Sequence, residues 1–335
     1  MKKIYAIVPL ALLLLGASLH AATTPHYKQV AKYVIGGEGG WDYLTLDPAS
    51  NRLFIAHNKA ILVVDAATGK QLGEVPANGA HGIALVPEAN RAFSSNGRAG
   101  TVTAFDLKTL KPLQDIKVGE NPDAIIYDSS SHHVIVMNGR SGEVMAIDPA
   151  SMKVTSTVPV GGKLEFAVAD AGHIYVNVED RSEIADIDSR SWKVAHRWKL
   201  TGCDEPSGLA MDRKAQTLFA VCDNREMAVV DARDGHVIGT VPTGAGTDGA
   251  AFDPEMHLAF ASNGEGTLTE VRRGRNGKYE RAENIATQPG ARTIALDPKS
   301  HKIFLPTAEL GPPAQGERRP AIKPGTFMVL VYAPE

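Results

Sequence analysis

The strongest constraint in this chain is internal repetition. One unit recurs seven times: WDYLTLDPASNRLFIAH from Trp41, AHGIALVPEANRAFSSN from Ala80, PDAIIYDSSSHHVIVMN from Pro122, LEFAVADAGHIYVNV from Leu164, PSGLAMDRKAQTLFAVC from Pro206, TDGAAFDPEMHLAFASN from Thr247 and ARTIALDPKSHKIFLPT from Ala291. Each unit predicts four short strands. A strand of small residues such as Gly82-Ile83-Ala84-Leu85 suits a crowded axis. A turn such as Asp47-Pro48-Ala49-Ser50-Asn51 follows. The second strand carries an aromatic or aliphatic residue, as at Phe54, Phe93 and Phe260. The third mostly ends in Asp, as at Asp65, Asp106, Asp148, Asp188 and Asp231, and that carboxylate can accept from the amides just ahead of it. A fourth strand leaves the turn. Four strands every 40 or so residues are the signature of a propeller blade.

Seven such units give an all-β, seven-bladed β-propeller with four-stranded blades. The last unit lacks a fourth strand, and Tyr27–Val34 has no blade of its own. Pairing the two shuts the ring and removes an open edge. The reading is therefore a single domain over residues 22–335, with an insertion loop at 308–325 that interrupts the last blade. That loop holds four prolines, Arg318, Arg319 and Lys323. It reads either as a lid over the channel or as a solvated loop.

The repeat wording, "LDP…LFxAxN…VVDxxTGKxLGxVPxG", resembles the YVTN-repeat (YncE-like) propellers across nearly the whole chain. The segment LPTAELGPPAQGERRPAIKPGTFMVLV is similar to the end of such proteins. The resemblance implies an exported propeller and leaves its activity open, since one fold hosts unrelated functions.

Residues 1–21 read as a signal peptide: Lys2 and Lys3, an apolar run from Ile4 to Leu15, then small residues up to Ala21 and Ala22. The expected location is the periplasm or outside the cell, with no membrane span once the leader is removed. Losing Lys2 and Lys3 takes the formal charge from −3 to −5. With no basic cluster, nucleic acid is not an expected partner. The chain is expected to be a monomer. Its two cysteines, Cys203 and Cys222, fall on the mouth side of one blade and are expected to form a disulfide.

Pseudo-symmetry maps the site. The residues entering each first strand are Asp42, His81, Asp123, Glu165, Ser207, Asp248 and Arg292, spaced 39 to 44 residues apart. They should encircle one mouth of the channel. A second ring follows the second strands: His57, Asn96, Asn138, Val178, Cys222, Asn263 and Thr307. Trp41 stands beside Asp42. Variable polar residues on a regular scaffold are natural binding positions. Confined carboxylates attract a cation, so Asp42, Asp123, Glu165 and Asp248 could take Ca²⁺ or Mg²⁺. The bland alternative is that these residues bond the neighbouring blade.

No G-x-S-x-G elbow, P-loop or C-x-x-C-H motif occurs. Three functions remain: a scaffold that binds a small ligand or a periplasmic protein at the mouth, a metal-dependent hydrolase or lyase of lactones or esters in the funnel, and an accessory subunit of a periplasmic oxidoreductase.

Overall fold

A computed structural model describes residues 25–313 and 320–335. The signal-peptide segment lies outside the described residues. Blade 1 is built from Trp41–Asp47, Arg52–His57, Ala60–Asp65 and Gln71–Pro76, paired antiparallel in that order. Blades 2 to 6 repeat this plan from inner strands Ala80–Val86, Pro122–Asp128, Leu164–Asp170, Pro206–Asp212 and Thr247–Asp253. Blade 7 joins Ala295–Leu296, Ile303–Thr307 and Met328–Pro334 to Tyr27–Val34. Tyr27 faces Pro334 and Val34 faces Met328, so the N-terminal strand closes the ring. The expected seven-bladed architecture is thus observed.

The inner strands contact one another in sequence around the axis, and Ala295–Leu296 returns to Trp41–Asp47. Both faces of each blade are covered by neighbours, so second and third strands are buried along nearly their whole length, as in Arg52–His57 and Ala60–Asp65. Phe54, Phe93, Phe219, Phe260 and Phe304 fill the gaps between blades. Inner strands stay small because the axis is crowded. A Cβ on Gly208 would stand 2.4 Å from the Asp248 carbonyl of the next blade.

The turn carboxylates act as the repeat implies. Asp65 Oδ1 accepts from the amides of Ala67 at 3.0 Å and Thr68 at 2.8 Å, and Asp106 repeats this with Lys108 and Thr109. Hydrogen bonds from Thr68 hold the Asp65 carboxyl below its ordinary range. Cys203 and Cys222 are joined, with Cα atoms 5.4 Å apart, and lie buried in blade 5. No helix among the described residues is long and apolar enough to cross a membrane.

Candidate functional site at the channel mouth

Inner strands of neighbouring blades pack side by side, which brings their entry residues near one another. Three blade-to-blade bonds fix the backbone there. Ser95 Oγ donates to the Asp123 carbonyl, Asn177 Nδ2 to the Ser207 carbonyl at 2.9 Å, and Ser262 Oγ to the Arg292 carbonyl at 2.5 Å. These donors sit at equivalent positions of blades 2, 4 and 6. Thr293 Oγ1 donates to the Asp42 carbonyl at 2.9 Å across the closure of the ring.

On this frame the ionisable entry residues converge. His81 Nδ1 lies 2.5 Å from Asp42 Oδ2 and 3.6 Å from Asp123 Oδ1. Arg292 Nε donates to Asp248 Oδ2 at 2.7 Å, and its Nη2 stands 3.7 Å from Asp42 Oδ1. Lys163 reaches Glu165 at 3.0 Å and also pairs with Glu179. Four carboxylates thus share one small volume with one guanidinium, one imidazole and a lysine at the rim.

Burial and crowding decide their protonation. Burial drives the Asp123 carboxyl up to about 7; the Asp42 charge adds to this and His81 opposes it. Glu165 rises to about 9 through burial, the hydrogen bond with Glu179 and the charge of Asp123. Asp248 is also raised by burial, against the pull of Arg292. Burial acts to lower the His81 pKa, but the Asp42 hydrogen bond and the two carboxylate charges outweigh it and hold the imidazole above its ordinary value.

Above these groups lies a cavity of about 700 Å³. Asp42, Asp123, Glu165, Asp248 and Arg292 line it, together with Trp41 and Tyr43. Its opposite wall is apolar. The insertion folds back as a hairpin, Leu310–Pro313 against Pro320–Ile322, and Leu310, Pro320 and Ile322 face the cavity. Residues 314–319 of the insertion lie outside the described residues.

A family model described as outer membrane protein assembly factor BamB matches residues 58–297. The chain belongs to this family. An 84-residue stretch is 31% identical to the uncharacterized protein YncE of Salmonella typhimurium, covering 24% of this chain and 24% of that relative. The same figures hold for YncE of Salmonella typhi. The chain therefore aligns with 24% of the length of these curated relatives. With its seven blades, it is a YncE-like propeller. Among solved structures, the fold resembles Kuenenia stuttgartiensis hydrazine synthase, with a TM-score of 0.68 and 17% identity over 79% of this chain and 92% of that one. It also resembles U3-55K, with a TM-score of 0.75 and 9% identity over 91% and 98%. At these identities the likeness is one of fold.

Not every entry residue of this BamB-family propeller reaches the cavity. Ser207 Oγ turns to the Thr247 and Asp248 carbonyls of blade 6, at 3.3 and 3.4 Å. The second ring turns into the blades. Asn96 Nδ2 donates to Thr103 Oγ1 at 2.8 Å, Asn138 Nδ2 to the Glu143 carbonyl at 3.1 Å and Asn263 Nδ2 to Thr269 Oγ1 at 3.0 Å. All three are buried. They tie a second strand to the third strand or the turn between them, and none lines the cavity. Val178 is buried apolar packing, and Thr307 Oγ1 donates to the Pro289 carbonyl at 2.9 Å. His57 packs its ring 4.3 Å from that of Phe327, and burial lowers its pKa. Trp41 shares this packing, 5.8 Å from Phe327, while also forming part of the cavity wall.

One lining residue was not anticipated. Tyr43 crosses the axis to meet Phe166 of blade 4, ring centres 5.0 Å apart, and is buried. Of the two rings, Tyr43 lines the cavity. The signal was present: Tyr43 and Phe166 occupy the same repeat position, which in the other five blades holds Gly82, Ala124, Gly208, Gly249 and Thr293, all much smaller.

Proposed function

We propose that this protein is an exported binding propeller whose channel mouth takes a small ligand carrying positive charge. One observation supports this reading above the others. The cavity is lined by four carboxyl groups, by Trp41 and Tyr43, and by the apolar Leu310, Pro320 and Ile322 of the insertion. Concave sites with an apolar wall and a few convergent polar groups are built for small ligands. Burial and crowding keep protons on Asp123 and Glu165, and a cation entering among the four carboxyls can take the place of those protons, so a cation is the ligand that the wall accepts at least cost. The oxidised cysteine pair and the leader-like start favour an exporting route, because such bonds persist in oxidising compartments.

Thermal unfolding of the purified protein with small organic and inorganic cations, beside matched anions, tests the reading. Cations should raise the midpoint, and an Asp42→Asn/Asp248→Asn double variant should lose the response. Stabilisation by anions alone, or an undiminished response in the variant, would sink it.

A further inference from the structure

We propose that Asp42, His81 and Asp123 form a site for one divalent first-row transition-metal ion. The proposal rests on the cation-binding reading of the mouth and names the cation.

One ligand atom from each of these residues lies within 4.8 Å of the other two. They come from equivalent positions of three consecutive blades, so the set is presented by strands rather than by mobile loops. An ion held at about 2.0–2.2 Å from nitrogen and oxygen donors places two neighbouring donors roughly 3.0–3.5 Å apart. His81 Nδ1 already stands 3.6 Å from Asp123 Oδ1 and 2.5 Å from Asp42 Oδ2. A shift of roughly half an ångström at Asp42 brings its spacing from His81 into that range, with the ion replacing the hydrogen shared between His81 and Asp42 and drawing in the two carboxylates, whose oxygens lie within 4.8 Å of each other.

The supports around the triad are specific. Ser95 and Thr293 hold the backbone carbonyls of Asp123 and Asp42. A Cβ at Gly97 would fall 2.5 Å from His81 Nε2, so the glycine leaves the imidazole its position. Asp42 and Asp123 also line the cavity, which leaves the remaining coordination positions to water or a ligand.

Donor type selects the metal. Ca²⁺ and Mg²⁺ take oxygen shells, which the carboxylates Asp42, Asp123, Glu165 and Asp248 alone would suggest. The geometry instead places an imidazole at the centre of the closest group, and imidazole with carboxylate suits zinc, cobalt, nickel or manganese. Arg292, 3.7 Å from Asp42, is the built-in cation that such an ion must outcompete.

The test uses untagged, chelator-treated full-length protein. Co²⁺ is titrated by visible absorption, and Zn²⁺, Mn²⁺ and Ca²⁺ by calorimetry. One equivalent of transition metal should bind, with Ca²⁺ much weaker. His81→Gln and Asp123→Asn should each weaken binding at least about tenfold, and Arg292→Gln should strengthen it. Folding of each variant is checked by its unfolding midpoint. His196→Gln serves as a control, since His173 and His196 flank Asp186 on blade 4, at 2.9 and 3.0 Å. Absence of a one-equivalent site, or a site lost in His196→Gln and kept in His81→Gln, overturns the proposal. Spermidine is titrated in parallel. If spermidine binds and no metal does, the metal site is wrong and the cation-binding mouth stands; if neither binds, both fall.

Discussion

Glu270 makes the stability of this ring depend on pH in a direction that can be calculated. It sits on the third strand of blade 6, fully buried, and neither carboxyl oxygen has a hydrogen-bond partner. Glu283 lies directly opposite on the outer strand. Burial first, then the Glu283 charge, pushes the Glu270 pKa up to about 7 from 4.5, against His26 and Arg272. The folded state therefore binds a proton that the unfolded chain releases at lower pH. The contribution is fully present below about 4.5 and is lost as pH rises through about 7. A shift of this size corresponds to an upper limit of about 3.4 kcal/mol, and solvent screening of the partly exposed Glu283 charge brings it to on the order of 2 kcal/mol. Glu270→Gln removes the ionisation and keeps the shape. Unfolding midpoints of wild type and variant should differ little at pH 5 relative to one another. By pH 8 the variant should gain about 4 °C on the wild type, at roughly 2 °C per kcal/mol for a chain of this size. All other titrating groups are common to both proteins and cancel in the difference. Parallel pH profiles would refute the reasoning, because they would mean that Glu270 finds a partner or water when charged.

Reducing the Cys203–Cys222 bond, which closes a loop of 19 residues, should lower stability by about 3 kcal/mol, seen as a lower denaturation midpoint with reductant. A Cys203→Ser/Cys222→Ser variant that ignores reductant and matches the reduced protein would complete the check; equal midpoints with and without reductant in wild type would contradict it. Gly208→Ala should cost about 1–3 kcal/mol by overpacking the axis, since its Cβ would meet the Asp248 carbonyl. An unchanged midpoint there would show that the inner strands can part.

Much of this molecule is readable from its repeats. The blade count, the turn carboxylates and the closing strand follow from pattern alone, because each unit must bury both faces on copies of itself. The first ring was legible for the same reason: symmetry assigns Asp42, Asp123 and Arg292 to one mouth. The second ring was not. Asn96, Asn138 and Asn263 lie at strand ends in blades covered on both faces, so no polar–apolar alternation says which way their side chains point. Tyr43 shows a different limit. Its size and that of Phe166 stand out at one repeat position, but only the ring's geometry says that blades 1 and 4 bring the two together. The insertion announced itself by length and proline content, whereas its four prolines gave no sign that Leu310 would pair with Ile322 in a ladder of its own.

The closing strand has a consequence for how the chain is made. Tyr27–Val34 is synthesised before any blade, yet its only strand partner among the described residues, Met328–Pro334, emerges after every other strand of the ring. Throughout synthesis the leading strand has bare amides and carbonyls, and so does the newest blade edge. Both are open to pairing with a neighbouring chain until Met328–Pro334 has been made. Truncation by even the last strand should therefore do more than shorten blade 7: it leaves two sticky ends that only another molecule can satisfy.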